Sequence, residues 1–141
     1  WQYPATLDPA LLSGAAFSSR LPNGHTVITD SNNSRVIEVT AGGTLVWSYA
    51  TNTQPNSNPT PLPTRAVRLA GGHTLISDQF NDRVIEVDRS GKIVRQEGNL
   101  NSSGYSTTTT TAGLYAPYDA KIVGDYTGLT PPFDRDHDGD D

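Results

Sequence analysis

Four aspartates alternate with other residues near the end of the sequence, and this spacing has a clear chemical use. A single residue separates each aspartate from the next in the set Asp134, Asp136, Asp138 and Asp140, and Gly139 precedes the last of them. Carboxylate oxygens are ligands that Ca²⁺ prefers, alternate spacing brings three side chains round one ion, and a glycine allows the sharp turn. The spacing predicts a calcium site, with a disordered, solvating acidic tail as the alternative.

The aspartate run resembles the calcium loops of EF-hands, dockerins and thrombospondin-type repeats. It departs from an EF-hand because it stops before position 12, where the bidentate glutamate of that family lies. The closing ligand would have to come from another segment or another chain. His137 takes a variable position of such a loop and is not expected to bind the ion. Ca²⁺ is the one cofactor that the sequence predicts, and no organic cofactor is expected.

Ionisable residues also recur in pairs that lie 48 positions apart. These pairs are His25 and His73, Asp30 and Asp78, and Arg35 and Arg83. A structural role is favoured for all six, because catalytic residues are seldom duplicated in every repeat. We expect each histidine to hydrogen-bond to the neighbouring unit, with a paired metal site as the alternative. The aspartates and arginines are expected to form hydrogen bonds or ion pairs that set a turn.

Motifs for nucleophilic or cofactor chemistry are missing from the sequence. It contains no Gly-x-Ser-x-Gly, no phosphate loop, no His-Glu-x-x-His and no dinucleotide fingerprint. It has no cysteine, which excludes disulfides, thiolate metal sites and cysteine nucleophiles. Whether the chain is an enzyme is therefore left open, and a non-catalytic role is favoured.

The elements that position these residues belong to an internal repeat. Residues 21–50 and 69–98 align without a gap, and fourteen of the 30 positions are identical. The alternation in each unit predicts strands at 17–21, 25–29, 35–39 and 44–49, with a turn at Asn32-Asn33 and another at Gly42-Gly43. Val36 and Glu38 should face one side of the third strand, and Ile37 the other. Four antiparallel strands in a unit of this length predict a propeller blade, so the fold class is all-β.

The repeat resembles the blades of NHL-repeat propellers and of the related quinoprotein-like and arylsulfotransferase-like propellers. Residues 30–39 with the Leu45-Val46-Trp47 strand carry this resemblance, and residues 78–87 with 91–94 follow the same pattern. The resemblance implies a fold and little about function, because such propellers include lyases, transferases, sensors and scaffolds. An arylsulfotransferase-like protein would need a catalytic histidine, and neither His25 nor His73 differs from its counterpart.

Both ends of the chain match parts of a further blade. Residues 1–3 match 47–49, and residues 117–123 match 63–69. The sequence thus divides into an outer strand of a preceding blade at 1–3, a first blade at 15–50, a Pro- and Asn-rich connection at 51–62, a second blade at 63–98, a Ser/Thr-rich loop at 99–116, the inner strand of a following partial blade at 117–130 and an acidic tail at 131–141.

Two blades cannot close a propeller ring, which takes four to eight. The chain is therefore expected to be part of a longer propeller, to join other copies of itself into a ring or fibre, or to pack as a stand-alone sandwich. Assembly would use the incomplete ends, where Trp1, Tyr3, Ala120 and Ile122 lie on strands without a complete sheet.

Polar connections separate the blades and contain candidate glycosylation sites. Two Asn-x-Ser sequons and a threonine run supply them, at Asn32, Asn101, Thr107, Thr108, Thr109, Thr110 and Thr111. The alternative is that both connections are solvated linkers. Loops of this length are usually functional or mobile.

The distribution of charge limits the classes of partner that the chain could bind. The last eight residues have a net charge of −4 and the other 133 residues −1, with no basic run, which argues against nucleic acid. No stretch approaches the roughly 20 apolar residues of a membrane span. We expect an extracellular, cell-surface or periplasmic scaffold whose loops bind a partner or a glycan. The alternatives are a self-assembling subunit and a fragment of a propeller enzyme completed by further blades.

The calcium prediction can be tested by isothermal titration calorimetry. Saturable Ca²⁺ binding is expected for the chain, and it should be lost in Asp136→Ala and Asp138→Ala because each removes a carboxylate ligand. A scrambled acidic peptide is the control. Binding no tighter than that of the peptide would contradict a defined site.

Overall fold

The computed structural model describes residues 2–4, 11–104 and 113–125, and it confirms the all-β fold with two four-stranded antiparallel blades. No helix in these residues is long and apolar enough to cross a membrane. The first blade contains β1 (Ala15–Arg20), β2 (Thr26–Asp30), β3 (Arg35–Val39) and β4 (Leu45–Ala50), and the second blade contains β5 (Arg65–Arg68), β6 (Thr74–Asp78), β7 (Arg83–Val87) and β8 (Ile93–Gly98).

The two blades share one strand register. Each is a meander in which consecutive strands pair, and the pairing of Thr26 with Val39 is repeated 48 residues later by Thr74 with Val87. In both blades the register shifts just before this valine, where the third strand pairs with the fourth. Such a bulge changes which side chains face each other across the two strands. Glu38 lies opposite Trp47 in the regular register before the shift, and Val39 lies opposite Leu45 after it.

A short 3-10 turn joins the second and third strands of each blade, at Ser31–Asn33 and at Gln79–Asn81. The turn lies where the Asn32-Asn33 pair predicted it. The left-handed residue is not an asparagine, however, but Ser34 with φ 54°, and Asp82 with φ 55° in the second blade. The asparagines lie inside the 3-10 turn, and the left-handed conformation falls on the residue that ends it.

The main core lies between the two blades. One face of the first blade packs against the second blade through the buried residues Leu21, Val27, Val36, Trp47, Ala66, Ile76, Ile85 and Val87. The opposite face of the first blade buries Ile28, Ile37 and Val39, so Val36 and Ile37 point to opposite sides as the alternation predicts. Burial of the aliphatic area between the two sheets is the main force that holds the blades together.

The described segments at the two ends pack against the outer faces of the blades. Tyr3 packs against the outer core of the first blade, and Ala120 and Ile122 pack against that of the second. No strand is formed by the described residues 2–4 or 113–125, so the inner strand predicted at 117–130 is not seen in its described part. A strand requires a hydrogen-bonded neighbour. Residues 117–125 are instead held by side chains, and Thr64 Oγ1 donates to Tyr118 O at 2.6 Å.

The 51–62 connection is tied to the second blade by the buried side chain of Asn81. The Asn81 amide donates to Thr51 O at 2.8 Å, and its Oδ1 accepts from Asn58 N at 2.7 Å. These bonds pair backbone groups at the start and in the second half of the connection. The connection is therefore a fixed part of the interface between the blades rather than a free linker.

Replacing Asn81 should destabilise the chain far more than replacing Asn33, its counterpart in the first blade. Asn81→Ala leaves backbone groups of the connection unpaired, and we expect a loss of about 3 kcal/mol in the free energy of unfolding. Asn33 is exposed and donates to Asp30 Oδ2 at 2.8 Å, so Asn33→Ala should cost about 1 kcal/mol. Urea unfolding measures both. Equal losses would show that Asn81 does not anchor the connection.

Candidate functional site

A buried carboxylate lies at the centre of the contact between the blades. Glu38 is on β3 of the first blade, its side chain is only 3% exposed, and it points toward the second blade. His25 Nδ1 of the same blade lies 2.7 Å from Glu38 Oε1, and Arg68 Nη2 of the second blade lies 2.9 Å from Oε2. Arg89 Nη1, also from the second blade, donates to the same Oε2. Glu38 therefore joins one group of its own blade to two of the next.

The partners of Glu38 keep it ionised. Burial alone would raise the pKa of its carboxyl group, but the hydrogen bonds from His25 and Arg89 and the positive charge of Arg68 outweigh burial and hold the pKa at about 2. The nearby Glu38 charge in turn opposes the effect of burial, which lowers the pKa of Arg68. A buried charge with hydrogen bonds to both of its oxygens is the condition under which a buried ion pair is tolerated.

An indole ring packs against both arginines. The Trp47 ring centroid is 5.2 Å from Arg68 Cζ and 5.7 Å from Arg89 Cζ, and Trp47 Nε1 donates to Arg89 O at 3.1 Å. The ring face attracts both cations. We call Glu38, His25, Arg68, Arg89 and Trp47 the Glu38 cluster. It fixes the second blade on the first through a carboxylate and a ring.

The second-blade counterparts of the first-blade residues at this contact line a groove at the outer face of the second blade. Glu86 replaces Glu38, and His73 Nδ1 lies 2.6 Å from Glu86 Oε1, as His25 does from Glu38. The Glu86 side chain is 16% exposed. The groove has a volume of about 300 Å³ and is lined by Leu75, Val84, Glu86, Arg95, Glu97, Ala120, Lys121, Ile122 and Val123.

The rim of this groove differs in chemistry from the first blade. Arg95 and Glu97 stand where the first blade has Trp47 and Tyr49, and Arg95 Nη2 lies 3.1 Å from Glu97 Oε1. Their side chains are 61% and 63% exposed, so this ion pair contributes little to stability. The groove thus has an aliphatic floor, one largely buried carboxylate and a charged rim.

The repeated aspartates and arginines meet within each blade. Arg35 Nε lies 2.7 Å from Asp30 Oδ2, and Arg83 Nε lies 2.8 Å from Asp78 Oδ2. Each pair spans the 3-10 turn between the second and third strands of its blade. These contacts join the two ends of a turn and do not face the groove.

The Oδ1 atom of the repeated aspartate has different surroundings in the two blades. Ser13 N donates to Asp30 Oδ1 at 2.7 Å, whereas the equivalent place in the second blade holds Pro61, which has no N–H. Asp78 Oδ1 is buried and has no hydrogen-bond partner among the described residues. Burial raises the pKa of Asp78, against the opposing effect of Arg83 and Asn81.

Each repeated histidine contacts the glutamate of its own blade, whereas a bond to the neighbouring blade was predicted. The reason is that each histidine directly precedes the second strand of its blade, which places its ring beside the third strand. The two glutamates were not singled out from the sequence. A glutamate that recurs in both units between apolar strand residues was the available signal.

The other predicted residues are not gathered into one site. Asn32 and Asn101 are exposed, and Tyr3 lies on the outer face of the first blade. Within the described ranges no group of three or more histidines and acids is placed to hold a metal ion. Outside those ranges lie Trp1, Thr107, Thr108, Thr109, Thr110, Thr111, Asp134, Asp136, Asp138 and Asp140.

Comparison with known proteins gives structural matches alone. Among the solved structures that match are streptogramin B lyase (21% identity, TM-score 0.48), a catalytically inactive virginiamycin B lyase from Staphylococcus aureus with quinupristin (20%, 0.48) and a protein of unknown function from Bacteroides caccae (20%, 0.46). They cover 65%, 65% and 61% of this chain, which spans 28% of each of theirs. No family model and no curated protein matches the chain. At these TM-scores the matches carry no argument about activity.

Low pH should lower the free energy of unfolding, because it protonates Glu38. Its pKa is lowered from 4.5 to about 2 in the folded state, so its contribution is complete above pH 4.5 and is lost as the pH falls toward 2. The difference corresponds to roughly 3 kcal/mol of unfolding free energy. Glu38→Gln should lack this acid-dependent loss and should be less stable at neutral pH by about 3 kcal/mol, because two arginines lose their counter-charge.

Urea unfolding between pH 7 and pH 2 measures this effect, with Glu86→Gln as the matched control. The control variant should retain the acid-dependent loss of the wild type, because Glu38 and its arginines are unchanged. An acid profile of Glu38→Gln identical to that of the wild type would assign the loss to another group.

Proposed function

We propose that the chain is a non-catalytic scaffold segment of a propeller, and that it acts by docking a further four-stranded sheet on the outer face of the second blade. One observation carries this proposal. The positions that the first blade buries beneath the second blade recur on the second blade, where they line the groove. A face that is built for a neighbouring sheet is a natural site for another sheet.

The floor of the groove supports sheet docking. Val36 is fully buried between the blades, whereas its counterpart Val84 is partly exposed in the groove. Leu75 and Ile122 add aliphatic surface beside it, and Val123 is 99% exposed. Covering such a surface is favourable by about 25 cal/mol per Å² of apolar area removed from water.

The segment at 117–125 favours a further blade over a second copy of this chain. Ala120 packs on the second blade, and its sequence counterpart Ala66 packs on the first blade. This shared packing supports the segment as the innermost strand of a next sheet, in the role that β5 has on the first blade. A second copy that docked through its own β1 would need this same place.

Other parts of the proposal rest on composition and exposure. An extracellular or periplasmic location is supported by the polar connections, and the exposed Asn32 and Asn101 are accessible for glycosylation. Calcium binding by the acidic tail stays a prediction. A propeller enzyme with an active site completed by further blades also stays a prediction, because no described cluster supplies a nucleophile with a base.

Cysteine protection tests the docking proposal, since the chain has no cysteine of its own. Val84→Cys should react with a maleimide in the 141-residue chain, as should the exposed reference Leu45→Cys, whereas Val36→Cys should be protected. In a protein extended by the coding sequence that follows residue 141, Val84→Cys should react at least about tenfold more slowly, because labelling then requires the interface to open.

The reference variant must stay reactive and Val36→Cys protected in both proteins. Undiminished reactivity of Val84→Cys in the extended protein, or a coding sequence without a further blade, would contradict the proposal. Protection that develops when the 141-residue chain alone is concentrated would identify a second copy as the occupant and would overturn the choice of a further blade.

A further inference from the structure

We infer that Glu86 is the receiving site for an arginine carried by the docking sheet, in the turn between the third and fourth strands of that sheet. The inference rests on the proposed function, and it adds the chemistry by which the second blade recognises its neighbour.

The two oxygens of Glu38 serve different blades. Oε1 contacts His25 of the same blade, and Oε2 accepts from Arg68 and Arg89 of the second blade. The histidine therefore orients the carboxylate, and Oε2 is directed at the second blade. Hydrogen bonds between ionised partners are about twice as strong as neutral ones.

Glu86 has the same contact at Oε1 as Glu38, but the described chain supplies no partner for its Oε2. Oε1 contacts His73 at 2.6 Å, and Oε2 has no hydrogen-bond partner within the described part of the chain. The glutamate lines the groove, so a donor that enters the groove reaches it directly. A carboxylate that is mostly removed from water gains more from an added cation than an exposed one does.

The position of the expected cation follows from the two arginines that reach Glu38. The counterpart of Arg68 on the next innermost strand is Ile122, so that position supplies no charge. Arg89 lies in the turn between β7 and β8, two residues after Val87. The docking sheet must therefore supply its cation from the equivalent turn.

The other charges around Glu86 do not replace this cation. Arg95 lies directly opposite Glu86 in the strand register, but its guanidinium contacts Glu97 instead. Lys121 lines the groove and forms no ion pair with Glu86 in the described structure. His73 contacts the opposite oxygen. These groups leave Oε2 as the acceptor that faces the incoming sheet.

Arginine fits this site better than lysine. Its planar guanidinium donates along fixed directions and packs flat on apolar surface, whereas an ammonium is compact and strongly hydrated. The floor of the groove offers such a surface beside Glu86, in Leu75 and Val84. Both cations that reach Glu38 in the existing interface are arginines.

The inference can be tested on the 141-residue chain with argininamide as the probe. The chain has only three glutamates, so ¹³C-glutamate labelling gives three side-chain carboxyl signals, from Glu38, Glu86 and Glu97. Argininamide should shift the Glu86 signal saturably, at least about twice as far as the exposed Glu97 signal. The Glu38 signal should stay in place, because two arginines already occupy its Oε2.

Lysinamide at the same concentration is the control and should shift Glu86 less. Glu86→Gln should remove the responding signal while leaving the Glu38 signal unchanged, which shows that the fold is intact. Equal shifts at Glu86 and Glu97, or equal effects of the two amides, would overturn the arginine assignment. The cysteine experiment decides docking separately, so a failure of this test is distinguishable from a failure of the docking proposal.

Discussion

The pair of blades depends on one ionised carboxylate that is removed from water. Glu38 is buried by the neighbouring blade, and it remains charged because that same blade supplies Arg68 and Arg89. The aliphatic core gives most of the attraction between the sheets but little preference for one alignment. The carboxylate sets the alignment, because a displacement of one blade would leave the buried charges of Glu38 and Arg68 unpaired.

The interface also explains why two similar sheets play different parts. Both blades have the same strand register and the same glutamate–histidine pair. The first blade presents an aromatic ring beside its glutamate, and the second presents Arg95 and Glu97. A repeat therefore fixes the shape of the docking face, while a few positions on the outer strand determine which neighbour it accepts.

The strands and the function-related residues were predictable to different degrees. Eight strands follow from alternation and glycine turns in a repeat with 48-residue spacing, since these signals are local. The Glu38 cluster depends on contacts between blades, and Arg89 has Ala41 as its counterpart, so no repeated pattern marks it. Asn81 is identical to Asn33, yet Asn81 alone reaches the 51–62 connection. Sequence identity between repeats cannot show which copy faces a connection.

The charged rim of the groove has a consequence for synthesis of the protein. The second blade leaves the ribosome before any sheet that follows it, so its outer face meets water and other nascent chains first. An indole and a phenol at that rim, as in the first blade, would offer an adhesive surface at this stage. Arg95 and Glu97 keep the rim hydrated and disfavour wrong pairing. The charged rim thus lowers the risk that the outer face of the second blade pairs with another chain while nothing is docked on it.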